Sequence, residues 1–398
     1  MRVALFTDSD VFAGTERHIL ELARGLGELG CEALIACPGH GVLAGRATET
    51  GVRTLDIPKR GAVDWRAARI LRRLLRAGQI DLIHAHNGRT ALAAALAIAS
   101  AGRGRLVATQ HFIDPSRVGR RGLQAVASRI LHRWIAGRVG RFIAISVAVK
   151  RAMLRRGDAA DEKIVVVPNG IASLAGDSMA GAEVVQREFT IAATTPLVVC
   201  AARLEPEKDV ESLAEAVALV ARRFPDVCCL VAGDGSQRDS IERRVRELRI
   251  ESQFRLLGFR PDVTAIMNAA DIFVLPSLAE PFGLVILEAM ALGKPVVATA
   301  AGGPMEIVAE GETGLLIPPR DPPALAEAIC SLVADADQRR RMGEAGRKRF
   351  LEHFTSGQMA AAILAVYRQA LGAAAIVNAD PDPMTPCTPT EAASHAGR

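Results

Sequence analysis

The chain has 398 residues, 49% hydrophobic and 4% aromatic, with a formal net charge of +5. That length fits about two domains with buried cores, and the few aromatics, with no recognition motif, argue against a nucleic-acid partner. Seven cysteines, an odd number with no C-x-x-C spacing, argue against a disulfide framework or a zinc site and point to a reduced, cytoplasmic compartment.

The opening Met1-Arg-Val-Ala-Leu-Phe-Thr-Asp reads as a strand running into a turn, without the plan of a signal peptide. In the first half, strands are expected at 3–7, 32–36, 80–84, 106–109, 141–145 and 164–167. Helical patterns fill 16–29, 65–76, 91–100 and 122–137. The longest apolar run, 91–102, is too short to span a bilayer. Pro168-Asn-Gly-Ile closes this unit with a turn, and residues 172–195 read as a connection with one short helical pattern at 184–189.

The alternation then restarts. Strands are expected at 197–201, 227–232, 255–257, 272–275, 296–298 and 314–317, with helices at 210–224, 238–249, 282–292 and 323–333. A last helix covers 355–371, and it could pack back on the first domain. Residues 373–398 lack periodicity and are expected to be a disordered tail. Apolar strands alternating with helices mean parallel sheets covered on both faces. The expected fold is α/β: two tandem doubly wound, Rossmann-like domains, 1–171 and 196–371, facing a central cleft at the carboxyl ends of their strands.

Charge is divided unevenly. Residues 1–172 hold 27 Lys+Arg against 14 Asp+Glu, and the remainder 22 against 30. No acidic residue interrupts the interval between Asp114 and Asp158, which contains Arg117, Arg120, Arg121, Arg129, Arg133 and Arg138. Two readings are open: a solvated helical face, or attraction to an anionic membrane surface. Arg66, Arg69, Arg72, Arg73 and Arg76 make a second cationic stretch, either a helix lying on a bilayer or the outward face of an ordinary α/β helix.

The segment Glu280-Pro-Phe-Gly-Leu-Val-Ile-Leu-Glu288 carries two carboxylates. Pro281 suits the first turn of a helix, and Gly293-Lys-Pro reads as its stop. Eight helical positions separate the carboxylates by about 12 Å, beyond the roughly 5–9.5 Å of a glycosidase pair. They would grip the two ends of an elongated ligand, with the helix N-terminus aimed at an anion between them. A nucleotide sugar has that shape. Glu280 could also cap the helix dipole.

His84 and His86 end one strand and His111 another. An H-x-H pair suggests a metal, but a third ligand is not evident, so no metal is expected. His84 reads as a satisfied core residue. Ala232-Gly-Asp-Gly-Ser lacks the third glycine and the acidic ribose ligand of a dinucleotide fingerprint and reads as a turn. Asp271 and Glu306 read as structural carboxylates at element ends.

Several motifs now stand in order: Ala13-Gly-Thr-Glu-Arg-His-Ile-Leu-Glu-Leu-Ala, Pro168-Asn-Gly-Ile, Ala202-Arg-Leu-Glu-Pro-Glu-Lys-Asp, Ala232-Gly-Asp-Gly, Leu257-Gly-Phe-Arg, the glutamate pair, Gly302-Gly-Pro-Met-Glu-Ile-Val and Glu312-Thr-Gly-Leu-Leu. Together they resemble the retaining glycosyltransferases of family 4, of GT-B architecture, over residues 1–371. Ala13 stands where that family usually has a glycine. The resemblance implies transfer of a sugar from a nucleotide donor to an acceptor hydroxyl with retention and without metal or other cofactor. It implies Arg203 and Lys208 as the clamp on the leaving diphosphate, with backbone groups of Gly14, Gly283 and Leu284 beside them. Glu288 would hold the ribose. Glu280 would lie near the transferred sugar and His111 near the reaction centre. Gly233, Gly235 and Phe282 complete the donor side, and His86 and Thr15 the acceptor side. The implied partners are a nucleotide sugar and a carbohydrate acceptor; the basic first half, read with that function, suggests a lipid-linked acceptor of the cell envelope, such as lipopolysaccharide, at an anionic surface on the inner face of the cytoplasmic membrane. An epimerase or phosphorylase on the same scaffold, or a non-catalytic sugar-binding protein, are the alternatives.

Overall fold

The computed structural model describes residues 1–59, 61, 64–113, 123–174 and 178–372, with the backbone alone for 123–129 and 178–182. The expected tail at 373–398, and Arg117, Arg120 and Arg121, lie outside the described residues.

Seven strands form the first sheet: β1 (Arg2–Phe6), β2 (Glu32–Cys37), β3 (Arg53–Asp56), β4 (Leu82–Ala85), β5 (Arg105–Gln110), β6 (Val139–Ala144) and β7 (Ile164–Val166). Their order is β3-β2-β1-β4-β5-β6-β7. The second sheet holds β8 (Leu197–Ala201), β9 (Cys228–Ala232), β10 (Phe254–Gly258), β11 (Ile272–Leu275), β12 (Val296–Thr299) and β13 (Gly314–Ile317), in the order β10-β9-β8-β11-β12-β13. All pairings between these strands are parallel. Every residue of β8, β9, β11 and β12 is buried, as a strand covered by helices on both faces requires. Each order reverses beside its first strand, at β1/β4 and at β8/β11, and opens a crevice at the carboxyl ends there.

Most expected elements are present, with ends shifted by a few residues. β3 and the helices Val42–Glu49, Val147–Arg156, Val263–Ala269 and Ala336–His353 are additions. The last of these buries only Met342, Gly343, Gly346 and Phe350. Two of the four are glycines, so its inner stripe carries almost no hydrophobic signal. A Cβ at Gly343 would lie 2.0 Å from the Gly293 carbonyl oxygen, so the close packing itself demands glycine. Cys31, Cys37, Cys200, Cys228, Cys229 and Cys330 are free and buried, serving as small apolar groups. No helix among the described residues is long and apolar enough to cross a membrane.

The final helix, Ser356–Leu371, packs back on the first domain. Met359, Ile363 and Tyr367 join Val3, Leu5, Ile19 and Leu22 in one core. The chain thus crosses between the domains twice, and the crossings touch: Ile171 pairs with Thr355, its N–H donating to the Phe354 carbonyl at 3.1 Å and its carbonyl accepting from Ser356 at 2.8 Å. A Cβ at Gly170 would come within 2.2 Å of the Thr355 carbonyl oxygen.

Candidate active site

The glutamate segment differs from its expected geometry. The helix runs Leu284–Ala291 and begins only after Gly283, whose φ of 107° suits glycine. Pro281 is therefore not in a first helical turn, and Glu280 stands outside the helix, so an axial rise does not measure the separation of the carboxylates. Glu280 instead lies in a short bridge with Gly302: its N–H donates to Ala301 and its carbonyl accepts from Gly303. A Cβ at Gly302 or Gly303 would come within 2.2 Å of the Glu280 or Phe282 carbonyl oxygen, respectively. The backbone that crosses there holds Glu280 beyond the carboxyl ends of β11 and β12, and this contact pulls the segment out of helix. Gly293, with φ of 69°, stops the helix as expected.

Lys208, at the end of a 3-10 turn after β8, reaches Glu280 Oε2 at 2.5 Å, and Ser277 Oγ donates to the same oxygen at 3.2 Å. Leu278 N–H donates to the Glu207 carbonyl at 2.9 Å, which ties the two loops together. Arg203 is not brought to this pair; its side chain is 64% exposed and bonds Glu207 at 2.8 Å. Gly233 and Gly235 serve the backbone below. Ala202 and Leu204 donate to Ala232 and Asp234, and a Cβ at either glycine would collide with the Ala202 or Leu204 carbonyl. The ring of Phe282 is buried edge-on to Phe354 in the core, so a donor contact at this position falls to its backbone.

From the first domain, the helix Gly14–Glu28 meets the helix Leu284–Ala291. A Cβ at Gly14 would sit 3.6 Å from Leu284 Cδ1, and Arg17 forms an ion pair with the buried Glu288. Leu284 and Glu288 share a face at i, i+4, as do Gly14, Arg17 and His18 at i, i+3, i+4. The N-terminal turns of both helices therefore face one region, where free N–H groups and helix dipoles favour an anion. Thr15 is half-buried in the first of these turns. Burial pushes the Glu288 carboxyl upward, opposed by the Arg17 guanidinium. Other contacts join the domains: Ser146 Oγ donates to the Pro281 carbonyl at 2.7 Å, and Glu306 accepts from the N–H groups of Val147 and Ala148. Glu306 and Asp271, which accepts from Leu197 N–H, are structural as expected.

Four buried histidines line the first domain's side. His84 Nδ1 bonds the Tyr367 hydroxyl and Nε2 the Thr109 hydroxyl, both at 2.6 Å, making it the satisfied core residue anticipated. His86 Nδ1 lies 3.2 Å from His111 Nε2. His18 closes the group, its ring centroid 4.9 Å from that of His111 and 5.5 Å from that of His86. Burial lowers the pKa of all four, that of His18 to about 4. All are neutral near pH 7. Arg17, His18 and Ser277 were missed from sequence; the first two stood in the quoted glycine motif, three and four positions after Gly14.

Family models match both halves: Glycosyltransferase Family 4 over residues 12–173 and Glycosyl transferases group 1 over residues 183–349. The chain is similar to the alpha-maltose-1-phosphate synthase of Mycolicibacterium smegmatis, at 32% identity over 93% of this chain and 99% of that one. It is 38% identical to the D-inositol 3-phosphate glycosyltransferase of Corynebacterium glutamicum over 47% of this chain, spanning only 46% of that relative. Among solved structures, Anabaena HepE in complex with UDP and glucose superposes with a TM-score of 0.79 at 24% identity, covering 92% of this chain and 98% of that one. That likeness fixes the fold. With matched models on both domains and a full-length relative, the chain belongs to the family 4 glycosyltransferases.

Proposed function

We propose that this glycosyltransferase moves a sugar from a nucleoside diphosphate donor to an acceptor hydroxyl with retention of configuration and without a divalent metal. The observation that carries the reading is the meeting of two helix N-termini, at Gly14 and Leu284, between the carboxylates Glu280 and Glu288. That arrangement fits a diphosphate flanked by a ribose and a sugar. Lys208 and the two helix ends stabilise the departing phosphate as its charge grows, and Arg203 joins them by leaving Glu207. Glu288 exchanges Arg17 for the ribose hydroxyls. Glu280 and a neutral His111 orient the transferred sugar. The departing phosphate then accepts the acceptor's proton on the same face, so no separate base is needed.

The acceptor is anionic on this reading, because the first domain holds the chain's excess of positive charge. A lipid-linked envelope saccharide at the membrane is the first form of it. Arg133 and Arg138 stand beside Ile130 and Leu131, which are 63% and 39% exposed. A soluble sugar or polyol phosphate is the second, favoured by the names of the two relatives. The test offers UDP-, ADP- and GDP-sugars with each acceptor class in excess EDTA, following nucleoside diphosphate release and the anomeric proton of the product. Retention with activity undiminished by EDTA is expected. An inverted product, or activity restored only by added metal, overturns the corresponding half. Epimerised donor or a free sugar phosphate would instead identify an epimerase or phosphorylase.

A further inference from the structure

We propose that His18, His86 and His111 form a binding site for one divalent transition-metal ion of the zinc class, and that its occupation inhibits transfer. One ligand nitrogen from each ring can be chosen so that all three lie within 4.8 Å of one another. A tetrahedral ion with bonds of about 2.0–2.1 Å separates its nitrogen ligands by about 3.3 Å. His86 Nδ1 and His111 Nε2 already stand 3.2 Å apart. The His18 ring has to turn inward to bring one of its nitrogens to that separation from the other two.

The nitrogens of this cluster are poorly used otherwise. Both ring nitrogens of His18, and His86 Nε2, are buried without a hydrogen-bond partner. A buried polar atom left unpaired costs about 1–3 kcal/mol, and an ion bound through one His18 nitrogen removes that cost for that atom. Neutral imidazoles bind without net loss of a proton; the one shared between His86 Nδ1 and His111 Nε2 has only to move to the other nitrogen of its ring. Orienting groups are also in place. His84, held between Tyr367 and Thr109, lies against His86 with ring centroids 4.2 Å apart. Asn169 beside His18 is buried with an unpaired Oδ1 that can accept the far ring N–H. Three imidazoles without a carboxylate select zinc, cobalt, nickel or copper over magnesium, calcium or manganese. They leave a fourth position for water or an anion from the cleft.

The inhibitory half rests on the proposed function. There His111 contacts the donor sugar through the nitrogen face that the ion would occupy. The ion is therefore a regulator or poison of a metal-independent reaction and not part of its chemistry.

The experiment uses the full chain freed of metal with EDTA and dialysed. Cobalt is titrated in while the visible absorption of tetrahedral cobalt is followed, and zinc binding is measured by calorimetry. One equivalent with a tetrahedral nitrogen-ligand spectrum is expected, weakened at least about tenfold in His18→Gln and in His86→Gln and unchanged in the surface control His353→Gln. Absence of binding overturns the site. So does a thiolate-to-cobalt charge-transfer band, or unchanged affinity in both variants. Should a variant fail to fold, the wild-type spectrum alone decides. Zinc should suppress sugar transfer and EDTA restore it, and transfer indifferent to bound zinc overturns the inhibition. Failure to transfer from any donor would tell against the proposed function while the cobalt spectrum still judges the site.

Discussion

The two walls of the cleft handle polar groups in opposite ways. On the second domain's wall both carboxylates are ionic and already matched, Glu280 by Lys208 and Glu288 by Arg17. On the first domain's wall four histidines are packed together and kept neutral by burial. The second domain's wall is built for exchange, because a ligand can replace each internal cation or carboxylate with a group of its own. The first domain's wall excludes charge, and protonating any one ring raises the cost of protonating the next. A ligand that spans both walls meets salt links at one end and a dry, uncharged surface at the other.

Acid should break this contrast most strongly. Each histidine has a native pKa below the unfolded value of 6.5, so below pH 6.5 the unfolded chain binds protons that the native one refuses. Stability is fully present above pH 6.5 and falls as the pH drops, by about 1.4 kcal/mol per unit for each ring and at most about 5.5 per unit for the four together. For His18 the loss continues to about pH 4. Glu21, Glu288 and Glu306, whose carboxyls are raised by burial, act in the opposite sense. Urea unfolding from pH 7.5 to 5.5 in EDTA measures the balance. Stability that is flat or rises toward pH 5.5 would refute a neutral histidine wall.

The next largest effect should come from Arg17→Met. It strands the buried Glu288 carboxylate and costs about 3–5 kcal/mol if no other cation moves in. Glu288→Gln leaves only the partly exposed guanidinium and should cost less. Unfolding midpoints of the two variants give the order, and the reverse order would show that Arg17 is the member that needs its partner.

Smaller effects should separate the carboxylates by role. Losing a hydrogen bond to a charged group is worth roughly 1.5–3 kcal/mol, or about tenfold to a hundredfold. Glu288→Gln should lose that much affinity for the bare nucleoside diphosphate, whereas Glu280→Gln should lose turnover more than nucleotide affinity. Calorimetry beside steady-state rates compares them, and equal losses of nucleotide binding would erase the division. The smallest effect lies outside the cleft. Each Arg near an anionic leaflet contributes about 1 kcal/mol, so replacing Arg133 and Arg138 by Ser should weaken sedimentation with phosphatidylserine vesicles at low salt. Unchanged sedimentation would leave that helix as a solvated face.

The sheets were legible because a strand buried on both faces is a short apolar run, and β8, β11 and β12 fall where such runs do. The helix Ala336–His353 was hidden because its buried stripe is half glycine. The entry into the helix Leu284–Ala291 misled for a different reason. Pro281 carries a local helix-start signal, but Gly302 and Gly303 hold the backbone of Glu280 and Phe282 in an extended crossing, and contact between distant segments overrode the local preference. The carboxylates and Lys208 could be read from motif order, whereas the direction taken by Arg203 depends on its neighbour Glu207. His18 escaped because the histidines it joins lie 68 and 93 positions away. Its spacing from Gly14 fixed its helix face, but not which strand ends that face would meet.

The paired crossings at Ile171 and Thr355 bear on how such a chain can be cut and recombined. A fragment ending at residue 171 would leave behind Tyr367, and with it the partner of His84 and a share of the first core. Such a fragment should need the segment Ser356–Leu371 supplied in trans. A chimera that takes its first domain from one relative and its second from another has to exchange two stretches of sequence together. The inherited unit on the first domain's side is discontinuous, and a single crossover between residues 172 and 195 would join halves whose shared core comes from different parents.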